Sequence, residues 1–187
     1  MLNYLESRME EIMKTLAVET MENNLEGVME TQPVIHNTFV VERNYPVPPE
    51  KVFSAIADPA KKQRWFAPGT GNNVVDKFEL DFRVGGEEFY SMHFKEGHPL
   101  TGHTLSNKNC YSDIVPNRRV IFSATMKVSG KTISVSLGTI ELVPVEQGTN
   151  LVLTFQSAFL EGADGPAMRE AGWRVLLDKL GMELAAN

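Results

Sequence analysis

Three histidines, His93, His98 and His103, recur every five residues and are the first candidates for metal chemistry in this sequence. A five-residue spacing crosses a turn and puts successive side chains on opposite faces of a strand. Two histidines in a His-x-x-x-His pair on a helix, by contrast, point at the same metal ion. The spacing therefore argues against a metal site, and we expect neither a metal nor another cofactor.

The other reactive side chains lack the neighbours that a catalytic centre needs. Cys110, the single cysteine, has no cysteine-protease signature around it. The segment Gly69-Thr70-Gly71 lacks the Lys-Ser/Thr ending of a phosphate-binding loop. Glu161 and Asp164 could form a carboxylate pair, but acidic residues are common where a helix begins. The sequence predicts no catalytic residue.

Alternating apolar residues predict an internal cavity instead. Phe78, Leu80 and Phe82 alternate with charged residues, which is the pattern of a half-buried strand. Aromatic and methionine side chains on such faces suit an apolar ligand, and polar residues among them would orient it. The predicted cavity lining is Trp65, Phe82, Met92, His103, Tyr111, Phe122, Met126, Ser136, Phe155, Trp173 and Leu177.

The elements that must carry these side chains follow a clear order. The sequence predicts a strand over Thr38–Tyr45, and Pro49 and Asp58-Pro59 then begin two short helices. Strand patterns follow as far as Phe155, and apolar residues at spacings of three and four predict a helix over roughly 164–184. We expect an α+β fold in which a curved antiparallel sheet of about six strands wraps around this long C-terminal helix.

Residues 1–36 follow a different pattern and are predicted to form an acidic helical extension and linker before a domain at 37–187. Five apolar residues in this segment fall on one helical stripe, and residues 1–35 carry seven glutamates against one arginine and one lysine. We favour a short helix that docks on the body or stays frayed. The alternative is a coiled-coil seam that forms a homodimer. The apolar stripe consists of Leu2, Leu5, Met9, Ile12 and Leu16.

The charge distribution excludes two classes of partner. The formal net charge is −6, and residues 1–35 account for −5 of it, so the remaining body is close to neutral. A nucleic-acid-binding groove or a face for anionic lipid would be basic. No run of about 20 apolar residues is present for a membrane helix. We expect a cytoplasmic protein that binds neither nucleic acid nor a membrane.

Four motifs in the right order resemble one known family. Trp65-Phe66-Ala67-Pro68 is similar to its Trp-Phe-x-Pro, and the segment 81–86 (Asp-Phe-Arg-Val-Gly-Gly) is similar to its Asp-x-Arg-x-Gly-Gly hairpin. The segment 113–122 resembles a second hairpin, and the segment 148–180 resembles the closing strand and helix. Over 37–184 the chain therefore resembles the START-like helix-grip superfamily (SRPBCC), in the family of the activator of the 90-kDa heat-shock-protein ATPase.

The resemblance implies a fold but leaves several functions open, because one fold hosts many activities. We expect binding of a hydrophobic small molecule in an internal cavity, without catalysis. One alternative is a cyclase- or dehydrase-type enzyme acting on an apolar polyketide-like substrate, with His103 or Tyr111 as general acid or base. The other is a partner-binding, co-chaperone-like module whose core is filled by its own side chains.

Overall fold

The computed structural model describes residues 33–67, 69, 73–97 and 100–186, which form seven strands and three helices. The predicted order of elements and the α+β class are confirmed. In chain order the elements are β1 (Ile35–Tyr45), α1 (Pro49–Ala57), α2 (Pro59–Phe66), β2 (Asn73–Leu80), β3 (Glu87–Phe94), β4 (Thr104–Val115), β5 (Arg119–Val128), β6 (Lys131–Val145), β7 (Gly148–Phe159) and α3 (Gly165–Ala185).

The two short helices begin where proline fixes the backbone. Pro49 and Pro59 occupy the first turns of α1 and α2, where a missing N–H leaves no helical hydrogen bond unmade. The Asp58 side chain accepts a hydrogen bond of 2.9 Å from the backbone N–H of Lys61 and so caps α2. These helices connect β1 to the far edge of the sheet.

All seven strands belong to one antiparallel sheet in the order β1-β7-β6-β5-β4-β3-β2. Strands β2 to β7 form a meander, and the last strand, β7, pairs with β1 along the full length of β1. The β6–β7 turn depends on Gly148, since a Cβ at this position would lie 2.1 Å from the carbonyl oxygen of Tyr45. Among the described residues, β1 and β2 are therefore the two edge strands of the sheet.

Helix α3 lies across the inner face of the sheet and packs chiefly against β1 and α2. Trp173 and Leu177 are buried, as the sequence predicts. The Tyr45 hydroxyl donates a hydrogen bond of 2.8 Å to the carbonyl oxygen of Leu177. Arg43 of β1 pairs with Asp178 at 2.8 Å. These contacts fix one flank of α3 along the β1 edge.

The predicted extension at 1–36 lies outside the described residues except for its last four. Neither its helical pattern nor the domain boundary is therefore tested, although β1 already begins at Ile35. Among the described residues, none of the three helices has the length and apolar content to cross a membrane.

Candidate ligand-binding site

The strand register arranges the inward-facing side chains in rows that run across the sheet beneath α3. Three successive rows differ in chemistry, and we call them the aromatic row, the polar row and the mouth row. The aromatic row is Tyr111, Phe122, Gly138, Phe155 and Phe39; the polar row is Glu88, Asn109, Ala124, Ser136 and Ser157; the mouth row is Tyr90, Asn107, Met126, Ser134 and Phe159.

The aromatic row is closed by its own rings. Trp173 of α3 contacts Phe122 and Phe155, with ring centroids 6.4 and 5.3 Å apart. Gly138 makes room for Phe122, since a Cβ on Gly138 would lie 2.3 Å from that ring. Tyr111 continues the cluster, with its ring centroid 5.0 Å from that of Phe82. This part of the interior is a packed core with no space for a ligand.

The polar row begins with a buried ion pair. The Lys62 ammonium of α2 lies 2.5 Å from Glu88 Oε2, and their side chains are 7% and 1% exposed. The Tyr111 hydroxyl donates a hydrogen bond of 2.6 Å to the same carboxylate oxygen, and Asn109 donates one of 2.8 Å to the other. Because each carboxylate oxygen has a partner, the desolvated charge is compensated.

The same network continues toward the surface. Asn107, which is half-buried, donates a hydrogen bond of 3.0 Å to Asn109. Burial raises the pKa of Tyr111 far above its ordinary value, and the nearby Glu88 carboxylate raises it further. The Tyr111 hydroxyl therefore keeps its proton throughout the physiological range and stays a donor to Glu88.

The other half of the polar row is built from small side chains. Ala124, Ser136 and Ser157 are all buried, and the two serine hydroxyls lie 2.8 Å apart. Small residues on a curved sheet leave more distance to the overlying helix than aromatic residues do. This row therefore separates the packed aromatic row from the mouth row.

A buried arginine closes the site at the start of α3. Arg169 forms a bidentate pair with Asp164, at 2.8 and 2.5 Å, and donates a hydrogen bond of 3.0 Å to Ser134. Its guanidinium also lies 5.3 Å from the ring centroid of Phe159. The Asp164 carboxylate makes no capping bond to the backbone of α3. Asp164 thus neutralises Arg169, where the sequence suggested a helix-capping role.

The mouth row is open at its Tyr90–Met126 end although the side chains there point inward, whereas Ser134 and Phe159 are buried. Tyr90, Asn107 and Met126 are only half-buried, and so is Phe66 at the end of α2. Phe66 contacts both Tyr90 and Trp173, each with a ring centroid 6.2 Å away. These residues therefore frame an opening between the β3–β5 part of the sheet and the first half of α3.

Two further observations describe this opening. Helical geometry puts Gly172 on the α2-facing flank of α3, and a Cβ on it would meet no atom within 4 Å. Burial raises the pKa of the Tyr90 phenol to about 12, with a smaller contribution from the Asp76 carboxylate. The Tyr90 hydroxyl remains protonated and donates to the Met92 sulfur at 2.9 Å. The opening is thus lined by aromatic rings, thioethers and neutral hydrogen-bonding groups.

The structure brings most of the predicted lining residues together, but in different environments. Trp65 is buried between α1 and α2, where its Nε1 donates to the Ala55 carbonyl oxygen at 2.9 Å. Met92 and Met126 are half-buried at the opening, and Ser136 belongs to the polar row. The members that belong to the packed core or pack against it are Trp65, Phe82, Tyr111, Phe122, Phe155, Trp173 and Leu177.

His103 does not belong to this interior. It lies exposed in the turn before β4, with Nδ1 3.0 Å from the hydroxyl oxygen of Ser129. The sequence predicts His103 among the cavity-lining residues, whereas it lies in the turn just before β4, which begins at Thr104. The turn interrupts the alternation that would have directed His103 inward.

The other candidates for chemistry are also dispersed. His93 pairs with Asp76 at 2.6 Å on the exposed side of β3, and His98 lies outside the described residues. Cys110 alternates with the inward-facing residues of β4 and so points to the other face of the sheet. Within the described ranges, no three His, Cys, Asp or Glu side chains converge as metal ligands.

Sequence analysis missed four charged or polar residues of the site: Lys62, Glu88, Asn109 and Arg169. Helical spacing could have found two of them, because Lys62 precedes Trp65 by three positions and Arg169 precedes Trp173 by four. Strand alternation could have found Glu88, which shares a face with Met92.

Two surface depressions lie away from this interior. One, of about 570 Å³, is on the outer face of β1, β7 and β6. The other, of about 180 Å³, lies between α1, α2 and the end of α3. Neither includes a residue of the mouth row.

Comparison with known families identifies the family to which the chain belongs. Residues 46–185 match the family model described as "Activator of Hsp90 ATPase homolog 1-like protein". The chain belongs to this family. The helix-grip architecture expected from the resemblance is thereby confirmed. No curated protein sequence matches the chain significantly.

Solved structures of bacterial proteins agree with this assignment. Protein Mll3558 from Rhizobium loti is 41% identical, with a TM-score of 0.71 over 81% of this chain and 99% of its own. A protein from Rhizobium leguminosarum is 34% identical, with a TM-score of 0.75 over 83% and 98%. The AHSA1 protein from Silicibacter pomeroyi is 27% identical, with a TM-score of 0.62 over 80% and 99%.

Proposed function

We propose that this protein binds one small amphipathic organic molecule between the mouth row and the first half of α3, without catalysing a reaction. The observation that carries the proposal is the half-burial of Tyr90, Asn107 and Met126, whose side chains point inward from the sheet. Inward-facing side chains in a finished core are excluded from water. The incomplete burial supports a space that a ligand can enter.

The chemistry of the opening indicates the kind of ligand. Phe66, Tyr90 and Met126 offer aromatic and thioether surface, which favours a flat apolar group. Asn107 and the polar row behind it offer hydrogen bonds at one end. Ligand sites commonly combine an apolar lining with a few polar groups that fix orientation. The ligand is therefore expected to be more polar at one end than the sequence alone suggested.

The arrangement favours binding over acid–base catalysis. Tyr111 is a poor general acid, because its pKa is raised and its hydroxyl is engaged with Glu88. His103, the other candidate, is exposed in a turn outside the interior. A general acid or base must come within hydrogen-bond reach of the substrate. Neither residue meets this requirement without rearrangement.

A tryptophan that fills the opening tests the proposal. We expect the fluorescent probe 1-anilinonaphthalene-8-sulfonate to bind the folded protein and raise its melting temperature. Met126→Trp is expected to weaken binding at least tenfold, or about 1.4 kcal/mol, by filling the space. Ser123→Trp is the matched control, because it adds the same ring to the exposed outer face of the same strand.

Each other outcome contradicts either ligand binding at this site or the absence of catalysis. Equal probe binding by the two variants would place the probe elsewhere. Absence of binding to the folded protein would favour the partner-binding module with a filled core. Turnover of a bound compound that Tyr111→Phe abolishes would favour the cyclase- or dehydrase-type enzyme.

A further inference from the structure

The outer face of β1, β7 and β6 carries exposed apolar side chains among polar ones, and the ligand site does not use this surface. Val40, Val135 and Leu137 are 48%, 47% and 42% exposed. Val40 lies on β1 and Val135 and Leu137 lie on β6, with β7 between these strands, and Val135 is opposite Ala158 of β7. The depression of about 570 Å³ described above lies on this surface. We call these four residues and the depression the outer patch.

The outer patch has the width of a helix. Three neighbouring strands span about 10 Å at the usual interstrand spacing, and a helix with its side chains is about 10 Å in diameter. Along the strands, the patch extends over the four-residue step from His36 to Val40, or about 13 Å. A helix laid on it would bury exposed apolar side chains that now contact water.

The chain itself supplies a matching segment next to the patch. The sequence predicts an apolar helical stripe in the segment 2–16, and the described part of the chain starts at Pro33. The depression is lined by His36, Asn37 and Thr38, just beyond this point. The 17 residues at 17–33 can span roughly 55 Å when extended, which is far more than the patch requires.

Charge also favours this occupant. The segment 2–16 carries three glutamates against Arg8 and Lys14, a net charge of −1, and residues 17–33 carry four glutamates and no basic residue. Lys127 and Lys131 lie exposed at the β5–β6 turn, close to Val135, and form no ion pair within the described ranges. With the segment 2–16 on the outer patch, the acidic residues 17–33 would lie near both ammonium groups. We propose that the segment 2–16 docks on the outer patch of its own molecule and covers it.

Tryptic cleavage of the full chain tests this docking, since Arg8 and Lys14 lie within the segment. Proteolysis of a docked segment follows the population of the undocked form, so docking slows cleavage at both sites. We expect Leu137→Glu, and separately Leu5→Glu, to accelerate this cleavage about tenfold or more. Val143→Glu is the matched control, because Val143 is exposed on the outer face of β6 beyond the depression.

Three results would overturn the proposal. Equally rapid cleavage in the unmodified chain and in both variants would show that the segment is not docked. Protection that survives Leu137→Glu would place the segment on another surface. Protection that grows with protein concentration, together with a doubled native mass, would show that the segment forms the homodimer instead. Leu5→Glu keeps the test valid should the substitution at Leu137 disturb the sheet.

Discussion

At the scale of single residues, the Lys62–Glu88 pair determines the polarity of the interior. Lys62 lies on helix α2 and Glu88 lies near the start of strand β3, and both side chains are almost completely buried. A buried charge whose partner is removed is strongly destabilising, whereas a complete pair contributes little net stability. The pair therefore makes the position of α2 over the sheet specific, since only the native docking satisfies both charges.

Removing one or both charges measures this dependence. Lys62→Met leaves the Glu88 carboxylate unpaired and is expected to lower the free energy of unfolding by about 3–5 kcal/mol. Adding Glu88→Gln should recover most of this loss, because the amide is neutral and still offers Tyr111 an acceptor. Urea unfolding of the single and double variants provides the values. A double variant as unstable as the sum of the single ones would contradict the pairing.

Tyrosine titration gives a second residue-scale prediction. The pKa of Tyr90 is raised to about 12, above its ordinary value of 10.0. The folded state therefore holds this proton more tightly than the unfolded state, so the associated stability is complete below pH 10. It decreases as the pH rises from 10 through 12.

Comparison with a phenylalanine variant isolates the Tyr90 contribution. Tyr90→Phe should make the loss of unfolding free energy between pH 10 and 12 shallower by up to about 1.4 kcal/mol per pH unit. Chemical unfolding at several alkaline pH values measures both slopes. Identical slopes would indicate that Tyr90 is solvated like an unfolded tyrosine.

At the scale of elements, two glycines distinguish the packed part of the interior from the open part. Gly138 faces the Phe122 ring at a distance that excludes a Cβ, whereas a Cβ on Gly172 would meet empty space. The first glycine belongs to the aromatic row, and the second to the flank of α3 near the opening. The helix thus closes one part of the sheet and leaves another accessible.

The same substitution at the two glycines should have opposite effects. Gly138→Ala is expected to cost about 1–3 kcal/mol by overpacking against Phe122. Gly172→Ala should stabilise the protein by about 0.5–1 kcal/mol, because alanine lowers the entropic cost of a helix interior. Thermal or urea unfolding checks both signs. A stabilising Gly138→Ala would mean that the aromatic row is loose.

The sequence predicted the elements well because their signals are local. Alternation located Phe122 and Met126 on one face, and helical spacing located Trp173 on the buried stripe of α3. It could not tell which of these side chains is packed, since Phe122 lies against Gly138 whereas Met126 is only half-buried. Which side chain fills a gap depends on register between strands, and that register is set by pairings distant in sequence.

At the scale of the whole molecule, the two faces of the sheet differ in chemistry. The inner face changes from packed rings to an open, mixed lining, and the outer face exposes Val135 and Leu137. Helical spacing and strand alternation could have put Lys62 and Glu88 on inward faces, but their pairing was not predictable, because the two residues are far apart in sequence. Only the folded arrangement shows that they neutralise each other.

Methionine-methyl NMR of the full chain during titration with 1-anilinonaphthalene-8-sulfonate tests the central claim most directly. Met92 and Met126 lie at the opening, whereas Met182 is exposed near the end of α3 and reports non-specific binding. Ligand entry predicts saturable shifts of the Met92 and Met126 methyl signals with one common dissociation constant and an unchanged Met182 signal. Shifts confined to Met182, or no shift at Met92 and Met126 at saturation, would contradict a ligand site beneath α3.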